Sequence, residues 1–315
     1  MHPSASEITP RIVFIATGDI ALPSFRLLLE KGPHPLALVT QPDKPVGRHQ
    51  SLTPSAIKTE ALAAGIPVLQ PEKIGDAAAQ LAGLSPDILV VMAYGQILRD
   101  NILTLPRKAI INLHASLLPR YRGAACIQAA IDAGDTETGV TSMHVVRELD
   151  AGDMILKKSI PIHAGDTGGT LHDRLADLAA VALDETLARL ADGTAMRIPQ
   201  DVAHASYIPK LEREDGRLDW AQPAVALERR IRAYDPWPGT YTMAIEGSAE
   251  KRLKIFPPAT VVDADLAPGK SLTHDGRLVV GCGTGALLLT SVQPEGGRRM
   301  SAADYLRGRN PTGFS

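Results

Sequence analysis

The sequence predicts an open α/β sheet followed by a small all-β barrel or sandwich, and three observations carry that prediction. Near-continuous apolar runs of strand length alternate with amphipathic helical stretches through the first half. A long helical pattern then gives way to an irregular, proline-bearing stretch. Beyond it, short apolar runs recur between Gly, Pro or charged turns. Strands that are apolar on both faces and separated by helices indicate a parallel sheet covered on both sides. Short strands at close spacing with turn residues between them indicate an all-β unit.

The elements follow in order. Arg11–Thr17 (RIVFIAT) is a β-branched strand ending at Gly18-Asp19. Ala21–Glu30 is amphipathic and stops at Gly32-Pro33, as a helix should. Leu36–Thr40 is a second strand, and Ser55–Ala64 a helix that ends at Gly65. Asp87–Met92 (DILVVM) and Ala109–Leu113 (AIINL) are further buried strands. In open sheets of this kind, ligands bind beyond the carboxyl ends of the strands. Thr167–Ala191 places Leu171, Leu175, Leu178, Leu183, Leu187 and Leu190 near helical spacing. The first domain is therefore expected over 1–193, a linker over 194–211 and a second domain over 212–315. The second begins with a charged turn, Glu212–Gly216, and a helix over Val225–Ala233. Its strand-like runs are Thr240–Ile245, Leu253–Phe256, Leu278–Cys282 and Ala286–Val292.

Composition narrows the class. A length of 315 residues fits two domains, and 44% hydrophobic with 22% charged residues excludes a disordered chain. With aromatics at 4%, aliphatic side chains must fill the core. Cys126 and Cys282 are far apart in sequence and make neither a disulfide framework nor a four-ligand zinc site, which suits a reducing, cytoplasmic compartment. No apolar run approaches the roughly 20 residues that span a bilayer, so no membrane association is expected. Met1–Pro10 has no basic segment leading into an apolar stretch, so no signal peptide is read there. A net charge of −2 excludes a wholly basic surface. The part from Tyr207 onward is nevertheless net +2 against −4 for the rest, which permits a nucleic-acid contact there.

Chemistry concentrates between Ile110 and Met154. Asn112 and His114 are two residues apart on a strand, so their side chains share one face at its carboxyl end. An amide N–H and an imidazole projecting together into a cleft can hold a developing oxyanion. A carboxylate is needed to orient that imidazole or keep its proton, and Asp150, just before Ala151-Gly152, is the candidate. Taken singly, a histidine at a strand end is more often structural, and an Asp before a Gly more often a plain turn residue. The combination changes that weighing because the residues between them match a known pattern over a long span.

That segment, NLHASLLPRYRGAACIQAAIDAGDTETGVTSMHVVRELDAGDM, resembles the formyltransferase family that uses 10-formyltetrahydrofolate. RYRGAACIQ and GDTETGVT are similar to the members whose acceptor is methionyl initiator tRNA. TQPDKPVG with Arg48, VVMAYGQIL and RAYDPWPG extend the resemblance over essentially the whole chain. It implies a Rossmann-like domain followed by an OB-like barrel. It implies Asn112, His114 and Asp150 as catalytic residues, and Ser116, Leu117, Leu118 and Pro119 as the tetrahydrofolate-binding stretch. Met92, Tyr94 and Gly95 are carried over, more loosely, as folate-lining positions. The implied partners are 10-formyltetrahydrofolate as formyl donor and initiator methionyl-tRNA as acceptor, with a monomeric enzyme and no metal. Arg48, Arg229 and Arg232 are then candidate tRNA contacts, although a charged helical cluster such as 229–232 is by itself more often a solvated face. The sequence departs from the family at Cys126, at Ala16–Ile20 and at His49-Gln50.

Other motifs read the ordinary way. GxGxxG is absent after the first strand (TGDIALPSF), which argues against a dinucleotide site. His144 and His163 lack metal-ligand spacing, and no GxSxG supports a serine nucleophile. Trp237, between two prolines, reads as a packing wedge rather than a base-stacking platform. Two rival functions remain: formyl transfer to a nucleotide-linked amino sugar, and a catalytically silent RNA-binding protein. The second has no use for an intact Asn112, His114 and Asp150 set.

Overall fold

The computed structural model describes residues 9–46, 51–247, 249–274, 277–309 and 311–315. By internal contacts the chain forms two units. The first comprises 1–123, 139–160 and 173–207; the second comprises 124–138, 161–172 and 208–315. The path therefore passes between the units five times.

In the first unit the strands are β1 (Ile12–Ala16), β2 (Ala37–Val39), the hairpin pair β3 (Lys44–Val46) and β4 (Ser51–Thr53), β5 (Val68–Leu69), β6 (Ile88–Met92), β7 (Ala109–His114), β8 (Arg122–Gly123), β9 (Glu137–His144), β10 (Met154–Pro161) and β11 (Tyr207–Ile208), the last two and β9 running into the second unit at one end. Among the described residues, seven of them form one sheet in the order β10-β9-β7-β6-β1-β2-β5. Parallel register runs from β5 to β7, with Val13 beside Ala37 and Leu89, and Val91 beside Asn112. β1 has every residue buried, and burying each large aliphatic or aromatic side chain is worth roughly 1.5–3 kcal/mol. On one face Val13, Ile15, Leu89, Val91 and Ile110 pack against Ile74, Ala77, Leu81, Leu98 and Ile102. On the other, Phe14 meets Phe25 edge to face, with ring centroids 5.5 Å apart.

Local signals set the helices. α1 (Leu22–Lys31) has a proline in its first turn and ends at Gly32, where φ is +74°. α2 (Ala56–Ala63) is capped by Ser55, whose hydroxyl accepts from the Lys58 N–H. Two short helices, α3 (Ala78–Gly83) and α4 (Asp100–Leu103), follow.

One expectation needs correcting. The sheet is not wholly parallel, because β9 runs antiparallel to β7, with Ile111 opposite His144 and His114 opposite Thr141. A parallel crossover needs its helix laid back across the sheet. The helix available, α5 (Cys126–Ala133), belongs to the second unit instead. The long helix α6 (Gly168–Asp192) matches its sequence-read extent closely, and in the first unit it meets β10 through a Lys158–Glu185 ion pair.

The second unit packs α5 against α7 (Ala224–Ala233) and builds an antiparallel, nearly closed barrel. Its strands are β12 (Thr240–Glu246), β13 (Ala249–Val262), β14 (Ser271–His274), β15 (Arg277–Gly281), β16 (Ala286–Pro294), β17 (Met300–Ser301) and β18 (Gly313–Phe314), with α8 (Ala302–Gly308) before the last. The described order is β14-β15-β16-β13-β12-β18. β13 is far longer than the run Leu253–Phe256 that sequence suggests. Its register with β16 shifts between Phe256 and Ala259, where Pro257 and Pro258 offer no N–H to the ladder. That irregularity lets one strand turn the sheet around the core of Leu218, Trp220, Leu253, Leu278, Leu287 and Phe314.

Gly139, on β9, tests the packing of the first sheet. A Cβ there would lie 2.0 Å from the carbonyl oxygen of Lys158 and 2.7 Å from Leu117 Cδ2. Gly139→Ala is expected to lower the free energy of unfolding by about 1–3 kcal/mol or more, read from the urea midpoint. A parental midpoint would show that β10 yields at no cost.

Candidate active site

The carboxyl end of β7 carries the candidate cluster, as the strand pattern anticipates. Asn112 and His114 project from the same face, and Asp150 lies against both. Asp150 Oδ1 accepts from Asn112 Nδ2 at 3.4 Å, and Oδ2 lies 3.7 Å from His114 Nδ1. The Gly123 N–H donates to Oδ2 at 2.8 Å. His114 and Asp150 expose only 7% and 11% of their side chains, so the cluster is deeper than a surface cleft. His114 Nε2 is 2.8 Å from the carbonyl oxygen of Tyr121, which can only accept. The Nε2–H is therefore engaged, and Nδ1 is the ring nitrogen turned toward Asp150.

The turn bearing Asp150 has an unusual backbone. Asp150 adopts φ +49°, the left-handed region, where Asp is among the residues best tolerated. Gly152 allows the turn to sit close, since a Cβ there would lie 1.8 Å from the carbonyl oxygen of His144.

The stretch after β7 is pinned by Thr141. Its hydroxyl donates to the Ser116 carbonyl at 2.7 Å and accepts from the Leu118 N–H at 3.1 Å. Ser116 Oγ donates to the Arg120 carbonyl at 2.8 Å. Ser116 and Leu118 are fully buried, whereas Leu117 and Pro119 are partly exposed. Only the latter two present side-chain surface to a ligand.

Met92 and Tyr94 are also buried, Met92 with its sulfur near the Ser24 hydroxyl. Ala93, Gly95 and Ile97 are the exposed positions of the turn that follows β6, and Ala93 there has φ +46°. Gln41 Nε2 donates to the Tyr94 carbonyl at 2.6 Å and fixes the turn. A cleft of about 630 Å³ continues from it, lined by Lys73, Ile74, Gly75, Asp76, Gln96, Ile97, Arg99 and Asn101. Exposed Ile97 offers an apolar contact, and Lys73 and Arg99 offer cations, so these residues suit an elongated ligand with an apolar body and an anionic end.

The expected tRNA contacts fare differently. Arg48 lies outside the described residues. Arg229 donates from Nε to the Asp132 carbonyl at 3.1 Å. Arg232 donates to both Glu228 oxygens, at 2.5 and 3.0 Å, and to the Asp166 carbonyl at 2.9 Å. Neighbouring Arg230 pairs with Asp132, which raises its pKa further. These guanidinium groups hold α7 within its own unit. Trp237 is 46% exposed. His144 is buried on the sheet face opposite Asn112; burial, aided by Arg197, lowers its pKa against the pull of Asp153.

Sequence reading missed three residues around the cluster: Arg122, Gln200 and Tyr207. Arg122 stands inside the RYRGAACIQ block, which was the one available signal. Gln200 and Tyr207 fall in the stretch that reads as linker.

Comparison with known proteins gives this geometry its class. The model of the family described as formyl transferase matches residues 11–187, and that of the formyl transferase C-terminal domain matches 210–310. The chain belongs to the formyl transferase family, and within it to the methionyl-tRNA formyltransferases. The methionyl-tRNA formyltransferase of Akkermansia muciniphila is 50% identical over 303 residues, covering 95% of this chain and 96% of that protein. The one from Geobacter metallireducens is 45% identical over 301 residues, covering 94% and 95%. Solved structures share the fold at lower identity. An N-formyltransferase from Helicobacter canadensis, in complex with folinic acid and dTDP-3-aminofucose, has a TM-score of 0.66 at 16% identity, over 92% of this chain and 100% of that one. HypX from Aquifex aeolicus in complex with tetrahydrofolic acid has a TM-score of 0.63 at 19% identity, over 95% of this chain but only 47% of that one.

Tyr94 yields a pH test. Its hydroxyl is buried with no hydrogen-bond partner among the described residues, and burial pushes its pKa up to about 12. The folded value lies above the ordinary value of about 10, so Tyr94 supports the fold below about pH 10 and loses that contribution as pH rises through about 12. Tyr94→Phe is expected to gain about 1 kcal/mol at pH 7, by removing an unsatisfied hydroxyl, and to lose stability less steeply between pH 10 and 12. Urea midpoints across that range decide it; a midpoint lowered at pH 7 would show the hydroxyl to be satisfied.

Proposed function

We infer that this chain transfers the formyl group of 10-formyltetrahydrofolate to the amino group of methionyl initiator tRNA, producing N-formylmethionyl-tRNA for translation initiation. The observation that carries the chemistry is one carboxylate, Asp150, shared by Asn112, His114 and the Gly123 N–H at the carboxyl end of β7. The acceptor rests on relatives of that name matching along 94–95% of the chain.

When bound, 10-formyltetrahydrofolate supplies the formyl carbon. The protein's part is electrostatic and positional. Asn112 Nδ2 carries a second N–H that Asp150 does not engage, and it can donate to the formyl oxygen as negative charge develops there. His114, anchored through Nε2, has only Nδ1 left to carry a mobile proton, and the carboxylate at 3.7 Å offers that proton a partner. Asp150, fixed by Gly123, orients the imidazole and can relay a proton through water. Leu117, Pro119 and the exposed Ala93–Ile97 turn form the folate-side wall, backed by Ser116, Leu118, Met92 and Tyr94. No metal takes part in this scheme. On the same reading the chemistry lies in the amino-terminal part and residues 212–315 contact tRNA, in a monomeric, cytoplasmic enzyme. No helix among the described residues is long and apolar enough to cross a membrane.

Incubation with 10-formyltetrahydrofolate and either charged initiator methionyl-tRNA or a nucleotide-linked amino sugar tests the acceptor. Formylation of the tRNA is expected; formylation of the sugar alone overturns the reading. Asn112→Ala, His114→Ala and Asp150→Ala are each expected to lower kcat by about 10²-fold or more, the scale for losing one preorganised donor. A folded His114→Ala protein with parental turnover would remove His114 from the chemistry.

Arg48 is proposed to reach the acceptor end of the tRNA, since the flanking His49 and Gln50 are not permanent cations. Arg48→Ala should lower kcat/KM for methionyl-tRNA about tenfold or more, the scale of one charge-assisted contact, with the KM for folate unchanged. Arg48→Lys should restore part of it, because Lys offers a point charge without the planar fork. Parental activity of Arg48→Ala at limiting tRNA would exclude the contact.

A further inference from the structure

The Asp150 turn has a second anchor, and it comes from the stretch that reads as linker. Ile198 exchanges both backbone hydrogen bonds with Met154, at 2.8 and 2.9 Å, and so brings the next residues alongside the site. Gln200 Nε2 then donates to two carbonyls of one turn, that of Asp150 at 2.8 Å and that of Gly152 at 2.9 Å. Gln200 Oε1 accepts from Arg122 twice, from Nε at 3.0 Å and from Nη2 at 2.7 Å. Arg122 Nη1 donates to the Tyr207 hydroxyl at 2.8 Å, and its guanidinium lies over the Tyr207 ring, 5.5 Å from the centroid. Arg122 is 3% exposed.

A primary amide has two N–H donors and one carbonyl oxygen. Here both donors meet acceptors and the oxygen meets only donors, so one of the two flip states is selected. Arg122 makes the selection, because a guanidinium has no acceptor to offer a reversed amide. The turn so held is the one in which Asp150 has φ +49°. Relaxation of that residue to an ordinary φ would swing the carboxylate away from Asn112 and His114. Gly123 fixes the carboxylate itself; Gln200 fixes the backbone that delivers it.

We propose that Gln200, oriented by Arg122, is a positioning residue for formyl transfer: its amide bridges the Asp150 and Gly152 carbonyls and holds Asp150 in the left-handed conformation that aims its carboxylate at His114 and Asn112. The proposal rests on Asn112, His114 and Asp150 being the residues at the reacting atoms. Gln200 touches no substrate and acts through Asp150.

Gln200→Glu separates the two halves of the device. It keeps an oxygen for Arg122 and replaces the N–H pair with an oxygen that faces two carbonyls. Single-turnover rates and steady-state kcat and KM are measured with 10-formyltetrahydrofolate and methionyl-tRNA, in the parent and in Asp150→Ala. Gln200→Glu is expected to lower kcat about 10- to 100-fold, the scale of a small misplacement of a reacting group, with both KM values within about twofold. In the Asp150→Ala background the same change should cost less than about twofold, because the residue it positions is gone. An equal loss in both backgrounds, or none in the parent, overturns the proposal. Parental turnover of Asp150→Ala alone would instead overturn the underlying site reading. If Gln200→Glu does not fold, Arg122→Gln, which frees the amide to flip, is expected to show the same background-dependent loss, and additivity there overturns the proposal equally.

Discussion

The carboxylate of Asp150, delivered by a left-handed residue into a largely buried niche, is the contact on which the candidate site depends. Asn112 and His114 sit on a strand and are placed by the sheet itself. Asp150 is not, since it comes from a loop whose chain must pass close enough to β9 for Gly152 to fit under the His144 carbonyl. A loop residue with φ +49° is unstable by itself, so its position has to be over-determined by neighbours. The neighbours are the Gly123 N–H on the carboxylate and the Gln200 amide on the backbone. Neither is contributed by β7, which explains why the catalytic reading requires segments far from the strand that carries Asn112 and His114.

The reversed strand β9 serves the same end. Antiparallel pairing sets Thr141 opposite His114, where its hydroxyl can bind both Ser116 and Leu118 and so shape the stretch that leaves β7. It also ends β9 opposite Ile111, so that Val145, whose N–H donates to the Ile110 carbonyl, starts the loop on the amino-terminal side of Asn112. From there the loop turns back along β7 and brings the Asp150 carboxylate to Asn112 and His114. Parallel strands position the donor pair, and the one reversed strand positions what acts on it.

Much of this is legible in sequence wherever the signal is local. The strands β1, β6 and β7, the helices α1 and α2 with their Pro, Gly and Ser punctuation, and the shared face of Asn112 and His114 all follow from neighbours within a few residues. Asp150 is legible through the glycine that follows. The reversal of β9 is not, because it depends on where α5 packs, and α5 is as apolar as a crossover helix would be. For Met92, Tyr94 and Gly95 the resemblance marks a segment, and which of its residues face out is set by the turn after β6, where Met92 and Tyr94 are buried and Gly95 is exposed. Arg232 had a readable alternative partner in Glu228, one helical turn earlier, which competes with any phosphate. Gln200 carries no signal at all. Its acceptors are 50 and 48 residues away, and a glutamine among prolines looks like any linker residue.

What makes the Gln200 device rigid is a ladder of minimal size. β8 and β11 pair through the Arg122 N–H to the Ser206 carbonyl at 2.8 Å, and the Tyr121 N–H donates to Ser206 Oγ at 2.9 Å. Arg122 and Tyr207 are therefore held by the same two strands whose side chains meet, so the guanidinium is fixed at its backbone and at its tip. Gly123, next along β8, carries the N–H that fixes the Asp150 carboxylate. One short strand thus orients both anchors of Asp150, directly through Gly123 and indirectly through Arg122 and Gln200. Tyr121, just before it, supplies the carbonyl that engages His114 Nε2. Three consecutive residues, Tyr121 to Gly123, set the imidazole, the amide clamp and the carboxylate in one frame, and a shift of that strand relative to β7 would displace all three together.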